Sequence, residues 1–151
     1  CVERHGIDPA RVILELTETT LITNPSQAKR VIEELCRQHI AFSIDDFGAG
    51  FTSFGYLREF PVSEIKVDRS YIRRFTESRF DQSLVQSLVV LCESLGIMLV
   101  AEGVEDARTR EMLVAMGCHA GQGFGICPPI PCDEVRDWIS DWNRSRISSA
   151  A

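Results

Sequence analysis

The chain has 151 residues, of which 44% are hydrophobic and 25% are charged, and its formal net charge is −6. This composition is typical of one globular domain with a buried core, or of most of a larger one. The negative charge argues against non-specific nucleic-acid binding, so we expect no DNA binding. No apolar run approaches the roughly 20 residues that cross a bilayer, so we expect no membrane segment. We also expect no signal peptide in this stretch.

Short strand patterns alternate with longer helical patterns along the chain. Strands are predicted at 12–17, 41–46, 63–68, 97–102 and, more weakly, 118–122. Four helices are predicted from their caps and apolar stripes. The first begins at Asn24 and Pro25 and has its apolar stripe from Ala28 to Cys36, and the second has its stripe from Leu84 to Leu95 and ends at Gly96. The third runs from Asp106 to about Gly117, and the fourth is capped by Asp133 and has Val135, Trp138, Ile139 and Trp142 on one face. We expect residues 1–143 to form the domain and residues 144–151 to be a frayed polar tail.

Five β–α units in series predict parallel strands joined by right-handed crossovers. A doubly wound sheet and a (β/α)8 barrel both show this order. In a doubly wound sheet both strand faces are apolar, whereas the strands "VILELT", "AFSIDD" and "SEIKVD" place polar residues on one face. This alternation favours a TIM-like (β/α)8 barrel, to which the chain would supply about five units, with about three strands located upstream. Because the first residue is Cys1 rather than Met, we expect the chain to be a piece of a longer protein.

The six cysteines include no C-x-x-C pair. Cys36 and Cys92 lie on apolar stripes of predicted helices, where small buried hydrophobic residues are expected. Neither their spacing nor the three scattered histidines fits a structural zinc site. We therefore expect a reducing compartment and a cytoplasmic location, with a membrane-anchored parent protein still open.

Charged residues recur where the predicted strands end. They are Glu15, Glu18, Asp45, Asp46, Lys66, Asp68, Glu102 and Glu105. In a parallel barrel these ends meet at one mouth, where the clustered carboxylates require protons or hard divalent cations. Oxygen ligands favour Mg²⁺ or Mn²⁺ over zinc. Each signal alone has an ordinary explanation, such as a turn, a solvated charge or a surface lysine, but their recurrence on four successive strands favours a site.

The pair Asp45 and Asp46 allows one carboxylate to bridge two metals while the other binds one. Gly48 and Gly50 follow this pair. Their spacing fits a loop with unusual backbone angles near a ligand or partner, and it fits a plain tight turn equally well.

Five motifs occur in a fixed order: "ELTE" (15–18), "DDFGAG" (45–50), "IKVD" (65–68), "EGVE" (102–105) and "QGF" (122–124). From about Ile13 to Pro129 the chain closely resembles the EAL domain of bacterial cyclic-di-GMP phosphodiesterases. The resemblance implies a TIM-like barrel and the metal-dependent hydrolysis of cyclic-di-GMP to linear pGpG. It also implies two divalent metal ions, Mg²⁺ or Mn²⁺, and a bacterial signalling protein with GGDEF or sensory domains upstream.

The resemblance assigns the metal ligands by motif. Glu15 would bind the first metal, Asp45 would bridge both metals, and Asp46 would bind the second. Glu102 would be a ligand of the second metal or the general base.

It also assigns the remaining site residues. Lys66 would contact the attacking water and stabilise charge on the phosphoryl group, and Asp68 would hold that network in place. Glu18 would anchor the loop that follows Asp46. Gln122 would contact the active-site water or the ligand, although a strand-end hydrogen bond to the backbone explains a glutamine there equally well.

The chain departs from the family pattern in two ways. The E-A-L segment with its glutamate ligand, and an asparagine ligand on the following strand, do not occur in it; both belong before Cys1. We therefore expect residues 1–151 alone not to hydrolyse cyclic-di-GMP. The segment Cys127–Pro129 also lacks the small or basic residue that usually precedes the family's last proline, which affects ligand contacts rather than metal chemistry.

Two other functions remain open. Some similar domains bind cyclic-di-GMP as receptors without hydrolysing it, although these tend to lose metal ligands or the lysine. An unrelated metal-dependent barrel enzyme would show no preference for a cyclic dinucleotide. A homodimer is also an open option.

Overall fold

The computed structural model describes residues 2–23, 25–49 and 55–148. The strands are β1 Ile13–Thr17, β2 Ala41–Phe47, β3 Glu64–Val67, β4 Met98–Glu102 and β5 Ala120–Gln122. The helices are α1 Glu18–Thr23, α2 Pro25–Arg37, α3 Tyr56–Glu59, α4 Arg69–Ile72, α5 Arg79–Leu95, α6 Ala107–Met116 and α7 Val135–Ser148. The predicted strands are confirmed to within two residues at each end, whereas the short helices α1, α3 and α4 were not predicted from the sequence.

The five strands form one parallel sheet in the order β1-β2-β3-β4-β5. A doubly wound sheet reverses its strand order at a switch point, and this sheet does not. Strands added in sequence by right-handed crossovers place all the connecting helices on the same face. The sheet is therefore built like the wall of a barrel.

The hydrophobic core lies between the sheet and its helices. Phe42, Ile44, Ile65 and Val67 alternate along β2 and β3 and are at most 3% exposed. On the opposite face, Ile13 and Met98 are 48% and 47% exposed. The predicted alternation is confirmed, because one strand face packs under helices and the other carries the polar residues of the predicted mouth.

The helix ends follow the predicted caps for α5 and α6. The Ser78 hydroxyl accepts a hydrogen bond from the Asp81 N–H at the start of α5, and Gly96 ends that helix. Asp106 and Gly117 cap α6 at its two ends. Asn24, the predicted cap of α2, lies outside the described residues.

The last helix differs from its prediction. Since α7 begins at Val135, the predicted cap Asp133 lies one residue ahead of the N-cap position. The helix also runs through Ser148, five residues into the stretch where we expected a frayed tail. Trp138 and Trp142 stack with ring centroids 5.3 Å apart, and the guanidinium of Arg110 lies over Trp142. Beyond Asn143, the guanidinium of Arg144 pairs with Asp141 at 2.6 Å.

The cysteines on the helices lie where the sequence places them. Cys92 is fully buried in α5, and Cys36 in α2 is partly buried against the core. Burial, together with the nearby Cys118, raises the pKa of the Cys92 thiol to about 11. Cys92 therefore behaves as a small hydrophobic residue at neutral pH. Within the described residues, no helix combines the length and the apolarity that a membrane span requires.

Candidate metal centre

Lys66 lies at the centre of a group of carboxylates supplied by three other strands. Its Nζ is 2.7 Å from Glu102 Oε1, 3.0 Å from Asp45 Oδ1 and 3.1 Å from Glu15 Oε2. A lysine ammonium carries three hydrogens, so each carboxylate can take one. Only 6% of the Lys66 side chain is exposed, which excludes the interpretation of this lysine as an ordinary surface residue.

Strand alternation explains how these side chains meet. In β3, Ile65 and Val67 point into the helical core, so Lys66 between them points to the opposite face. In β2, Asp45 is the register partner of Thr17 in β1 and directly follows the buried Ile44. Its side chain therefore points to the same face of the sheet as Lys66. Parallel strands then place the four ends at one edge of the sheet.

The charges around Lys66 keep it protonated. Burial by itself would lower the pKa of the ammonium, but the close pairing with Glu102, Asp45 and Glu15 outweighs burial and raises the pKa well above its ordinary value. Lys66 is therefore a fixed positive charge at the centre.

The end of β2 is irregular. Ile44 pairs with Ile65, but Val67 pairs with Phe47 rather than with Asp46, so β2 contains one extra residue. Asp46 has a φ of 54°, in the left-handed region. This β-bulge returns Phe47 to the core, where it is 2% exposed, and it leaves both aspartates on the polar side.

The bulge creates a cluster of three carboxylates. One oxygen from each of Asp45, Asp46 and Glu102 lies within 4.8 Å of the others. Burial and the charges of Asp45 and Asp68 raise the pKa of Asp46, although Lys66 and Arg69 act in the opposite direction. The negative charges of Asp45 and Asp68, which contribute to this rise, would also attract a cation.

The donor set fits a hard divalent cation. Asp45 Oδ1 is buried and, despite its short distance to Lys66 Nζ, has no hydrogen bond of suitable geometry among the described residues. A buried carboxylate oxygen with unused acceptor capacity is a natural ligand for Mg²⁺, Mn²⁺ or Ca²⁺. Glu15 lies outside the cluster of three and reaches it through Lys66.

Asp68 has a local structural role. Its Oδ1 accepts a hydrogen bond of 2.9 Å from the Ser70 N–H and caps α4. Burial acts to raise the pKa of Asp68, but the hydrogen bonds from Ser70 and the charge of Arg69 lower it below its ordinary value. Asp68 is therefore ionised beside the cluster, and its influence on Asp46 is electrostatic.

The other predicted site residues lie around this centre. Gln122 is the register partner of Glu102 on the edge strand β5, and its carbonyl accepts a hydrogen bond from the Val104 N–H. Glu105 is exposed beyond the end of β4 and is not one of the three residues of the cluster. Glu18 begins α1 directly after β1, but its side chain lies outside the described part of the structure. The roles assigned to these residues therefore stay predictions.

Sequence reasoning missed two residues next to the centre, Arg69 and Tyr71 of α4. Arg69 lowers the pKa of both Asp46 and Asp68. The Tyr71 hydroxyl contacts the backbone of the loop after β2. Neither belongs to a charged strand end, which is the pattern that located the other residues. Of the two predicted loop glycines, Gly48 has the expected unusual backbone, with a φ of 96°, and Gly50 lies outside the described residues.

Comparison with known proteins identifies the family. Residues 1–129 match the sequence model of the EAL domain. The chain belongs to the EAL domain family. It is 36% identical over 132 residues to MucR of Pseudomonas aeruginosa, a bifunctional diguanylate cyclase/cyclic di-GMP phosphodiesterase, over 87% of this chain and 19% of MucR. It is 33% identical over 141 residues to the cyclic di-GMP phosphodiesterase PdeL of Escherichia coli, over 93% of this chain and 38% of PdeL. The chain thus spans well under half of these relatives.

Solved structures of EAL domains have the same fold. The MucR phosphodiesterase in complex with c-di-GMP superposes with a TM-score of 0.82 at 36% identity, over 89% of this chain and 54% of that one. Klebsiella pneumoniae BlrP1, solved with manganese and c-di-GMP, superposes with a TM-score of 0.81 at 38% identity, over 85% of this chain and 33% of that one. A further BlrP1 complex contains calcium and c-di-GMP. The five strands of this EAL chain are therefore β–α units of a TIM-like barrel, as the sequence predicts.

Proposed function

We propose that this EAL chain is the C-terminal portion of a cyclic-di-GMP phosphodiesterase domain, which hydrolyses one phosphodiester bond of cyclic-di-GMP to give linear pGpG. The observation that carries the proposal is the buried ammonium of Lys66, held by carboxylates from three strands beside the cluster of Asp45, Asp46 and Glu102. The phosphodiesterase names of MucR and PdeL and the c-di-GMP complexes of MucR and BlrP1 support the same reaction and substrate.

Two divalent cations, Mg²⁺ or Mn²⁺, complete the proposed centre. Asp45, Asp46, Glu102 and Glu15 would hold them, with Asp45 as the bridging ligand. When bound, two such ions activate a water molecule and neutralise the charge of the phosphoryl oxygens. The manganese and calcium complexes of BlrP1 agree with the use of a divalent cation.

The side chains themselves explain why cations are needed. Glu15, Asp45 and Glu102 surround the Lys66 ammonium, and Asp46 lies beside Asp45 and Glu102. These carboxylates outnumber the two nearby cations, Lys66 and Arg69, so the centre would repel an anionic phosphodiester. In the protein alone, the ammonium of Lys66 is ion-paired with Glu102, Asp45 and Glu15. If these carboxylates held cations, the Lys66 ammonium would be available to donate to the attacking water or to a phosphoryl oxygen, where negative charge develops.

The proposed reaction adds water across one P–O bond. The water oxygen bonds to phosphorus, the bond from phosphorus to the ribose O3′ breaks, and O3′ takes up a proton, which leaves a 5′-phosphate and a 3′-hydroxyl. Glu102 is the candidate to accept the proton of the water if it is not occupied as a ligand. Asp68 and Glu18 would position the surrounding network, and Gln122 would contact the ligand.

We further propose that residues 1–151 do not catalyse this reaction by themselves. The polar face of the sheet exposes Ile13 and Met98, and β1 and β5 each have one unpaired edge. In the full-length protein, the glutamate of the E-A-L segment and the asparagine ligand would complete the first metal site. We expect this protein to be cytoplasmic or anchored in a membrane, with GGDEF or sensory domains, as a monomer or a homodimer.

The test is hydrolysis of cyclic-di-GMP by the full-length protein in Mg²⁺, in Mn²⁺ and in chelator. We expect pGpG to form only with a divalent cation, and Lys66→Met to slow its formation strongly. The chain contains one other lysine, Lys29, which is exposed on α2, so Lys29→Met is the matched control and should leave turnover unchanged. Tight cyclic-di-GMP binding without turnover in any metal would favour the receptor function, and failure to bind would contradict both.

A further inference from the structure

The turn after β2 has a backbone path that is costly for most residues. Asp46 and Gly48 have φ values of 54° and 96°. A residue other than glycine in the left-handed region costs on the order of 1 kcal/mol or more. The Ala49 N–H closes the turn by donating to the Asp46 carbonyl at 3.1 Å, but this bond lies within the turn itself. Contacts from another element are therefore needed to fix the turn relative to the cluster.

Tyr71 supplies such a contact. Its hydroxyl donates a hydrogen bond of 2.8 Å to the carbonyl oxygen of Gly48. Its ring also lies against the same residue, because a Cβ added at Gly48 would come within 2.8 Å of Tyr71 Cε2. One side chain thus contacts Gly48 both through a directional bond and through close packing.

The helix that carries Tyr71 is well anchored. The Asp68 side chain caps α4 through the Ser70 N–H, and the Tyr71 N–H donates to the Asp68 carbonyl at 3.2 Å. Ile72, the next residue, and Phe75, four residues after Tyr71, are 1% and 0% exposed in the core. Tyr71 is therefore presented from a fixed platform, which a positioning role requires.

Two consecutive carbonyls of the turn accept hydrogen bonds from this region. The Asp68 N–H donates to the Phe47 carbonyl at 3.3 Å, and the Tyr71 hydroxyl donates to the Gly48 carbonyl. The first bond comes from the main chain. The second is made by a side chain, so a single substitution can remove it while the ring packing stays.

We infer that Tyr71 is a positioning residue, which holds the turn through Gly48 and so keeps the carboxylates of Asp45 and Asp46 together in the metal centre. Tyr71 acts through the backbone and is not itself a ligand. This inference rests on the proposed function, because holding Asp45 and Asp46 together affects activity only if these carboxylates bind metal. Phenylalanine at position 71 would keep the packing and lose only the bond to Gly48.

The test is Tyr71→Phe in the full-length protein. A hydrogen bond contributes about 1 kcal/mol, which corresponds to about fivefold in an equilibrium constant. We expect the Kd for Mn²⁺ alone, measured by calorimetry, to rise about fivefold. The Mn²⁺ concentration that gives half-maximal turnover should rise by the same factor, while KM for cyclic-di-GMP at saturating Mn²⁺ is unchanged. Amide hydrogen exchange at residues 47–49 should be faster without metal.

Ser63→Ala is the matched control. The Ser63 hydroxyl also donates to a backbone carbonyl, that of Phe42 at 2.7 Å, but at the opposite end of β2. The Ser63→Ala variant should lower the Tm in chelator at least as much as Tyr71→Phe does, and its Kd for Mn²⁺ should equal that of the parent protein. Parental Mn²⁺ affinity in Tyr71→Phe, or an equal loss in Ser63→Ala, overturns the inference.

The exchange measurement separates this inference from the proposed function. If the parent protein binds no Mn²⁺, the proposed function fails. Faster exchange at residues 47–49 in Tyr71→Phe then still supports the hold of Tyr71 on the turn, and unchanged exchange overturns it.

Discussion

The ends of β2 and β3 both place charged side chains at the centre, but their backbones differ. Both strands deliver charged groups to one centre from neighbouring positions in the sheet. In β3 the alternation is regular, and Lys66 reaches the centre between two core residues. In β2 an extra residue with a left-handed backbone is needed to bring Asp45 and Asp46 to the same side. A regular strand can place one functional side chain, whereas two adjacent ones require a bulge that other elements must hold.

This difference separates two kinds of expected effect. A substitution at Lys66 should change chemistry and charge while the backbone stays as it is. Substitutions in the turn after β2 should change geometry, and hence metal affinity, with the ligands themselves intact. The predictions below test this division, in order of decreasing effect.

The largest effect is expected from Lys66→Met. Loss of a donor to developing negative charge lowers kcat by about 100-fold or more. Glu15, Asp45 and Glu102 also lose their shared counter-ion, so the variant should melt lower than the parent in chelator and gain more Tm on addition of Mn²⁺. Steady-state kinetics and thermal melts, with Lys29→Met as control, measure both. Near-normal kcat together with an unchanged melt in chelator would reduce Lys66 to a packing residue.

The two aspartates should differ from each other. If Asp45 bridges, Asp45→Asn disrupts both metal sites, with affinity losses of at least about 100-fold, and Asp46→Asn weakens mainly one. In chelator, loss of the Asp45 pairing with Lys66 is offset by relief of repulsion at Asp46, so Tm should change little. Calorimetric titration with Mn²⁺ gives the stoichiometry. Two ions bound at parental affinity by Asp45→Asn would contradict the bridging role.

A smaller effect is expected from Gly48→Ala, which leaves every proposed ligand in place. The φ of 96° is strained for alanine, and the new Cβ would lie 2.8 Å from the Tyr71 ring. A strain of about 1–3 kcal/mol should weaken Mn²⁺ binding by roughly tenfold. Gly96→Ala is the control, since Gly96 has a φ of 67° but open space around its Cβ. It should lower Tm without altering Mn²⁺ affinity; an equal loss in both variants would mean that the turn is not specifically coupled to the centre.

The sequence predicts the regular part of this centre well. Alternation around Ile65 and Val67 is enough to place Lys66, and the register of charged strand ends is enough to bring Glu15, Asp45 and Glu102 to it. The order of the β–α units likewise predicts the parallel sheet. These inferences succeed because period-two alternation and right-handed crossovers are general properties of parallel sheets.

The irregular part could not be derived in the same way. Alternation alone sends Asp46 towards the helices and Phe47 towards the mouth, and only the bulge exchanges these directions. The sequence does contain a signal, because a phenylalanine two residues after Asp45 suits the polar mouth poorly. The bond from Tyr71 to the Gly48 carbonyl has no comparable signal, since any backbone carbonyl can accept it. Likewise, α7 continues through Ser148 into a polar stretch whose composition predicts a tail.

The smallest effect is expected at Asp106, which follows β4, the second regular strand end of the centre. Asp106 caps α6 by accepting 2.8 Å hydrogen bonds from both the N–H and the hydroxyl of Thr109, and these bonds lower its pKa. A carboxyl whose pKa is lower in the folded state stabilises the fold above its unfolded pKa of about 3.9 and loses this contribution as pH falls through the folded value. Asp106→Asn keeps an acceptor for the Thr109 N–H but cannot ionise. The Tm difference between parent and variant in chelator should therefore be present at pH 6 and shrink below about pH 4. Asp133→Asn, at an exposed position one residue ahead of the N-cap of α7, is the control variant. Because Asp106 acts on its own helix, the Kd for Mn²⁺ should stay at the parental value. Parallel Tm curves over the whole pH range would contradict the capping contribution of the ionised Asp106. A change in the Kd for Mn²⁺ would show that this strand end is coupled to the centre, as the end of β2 is.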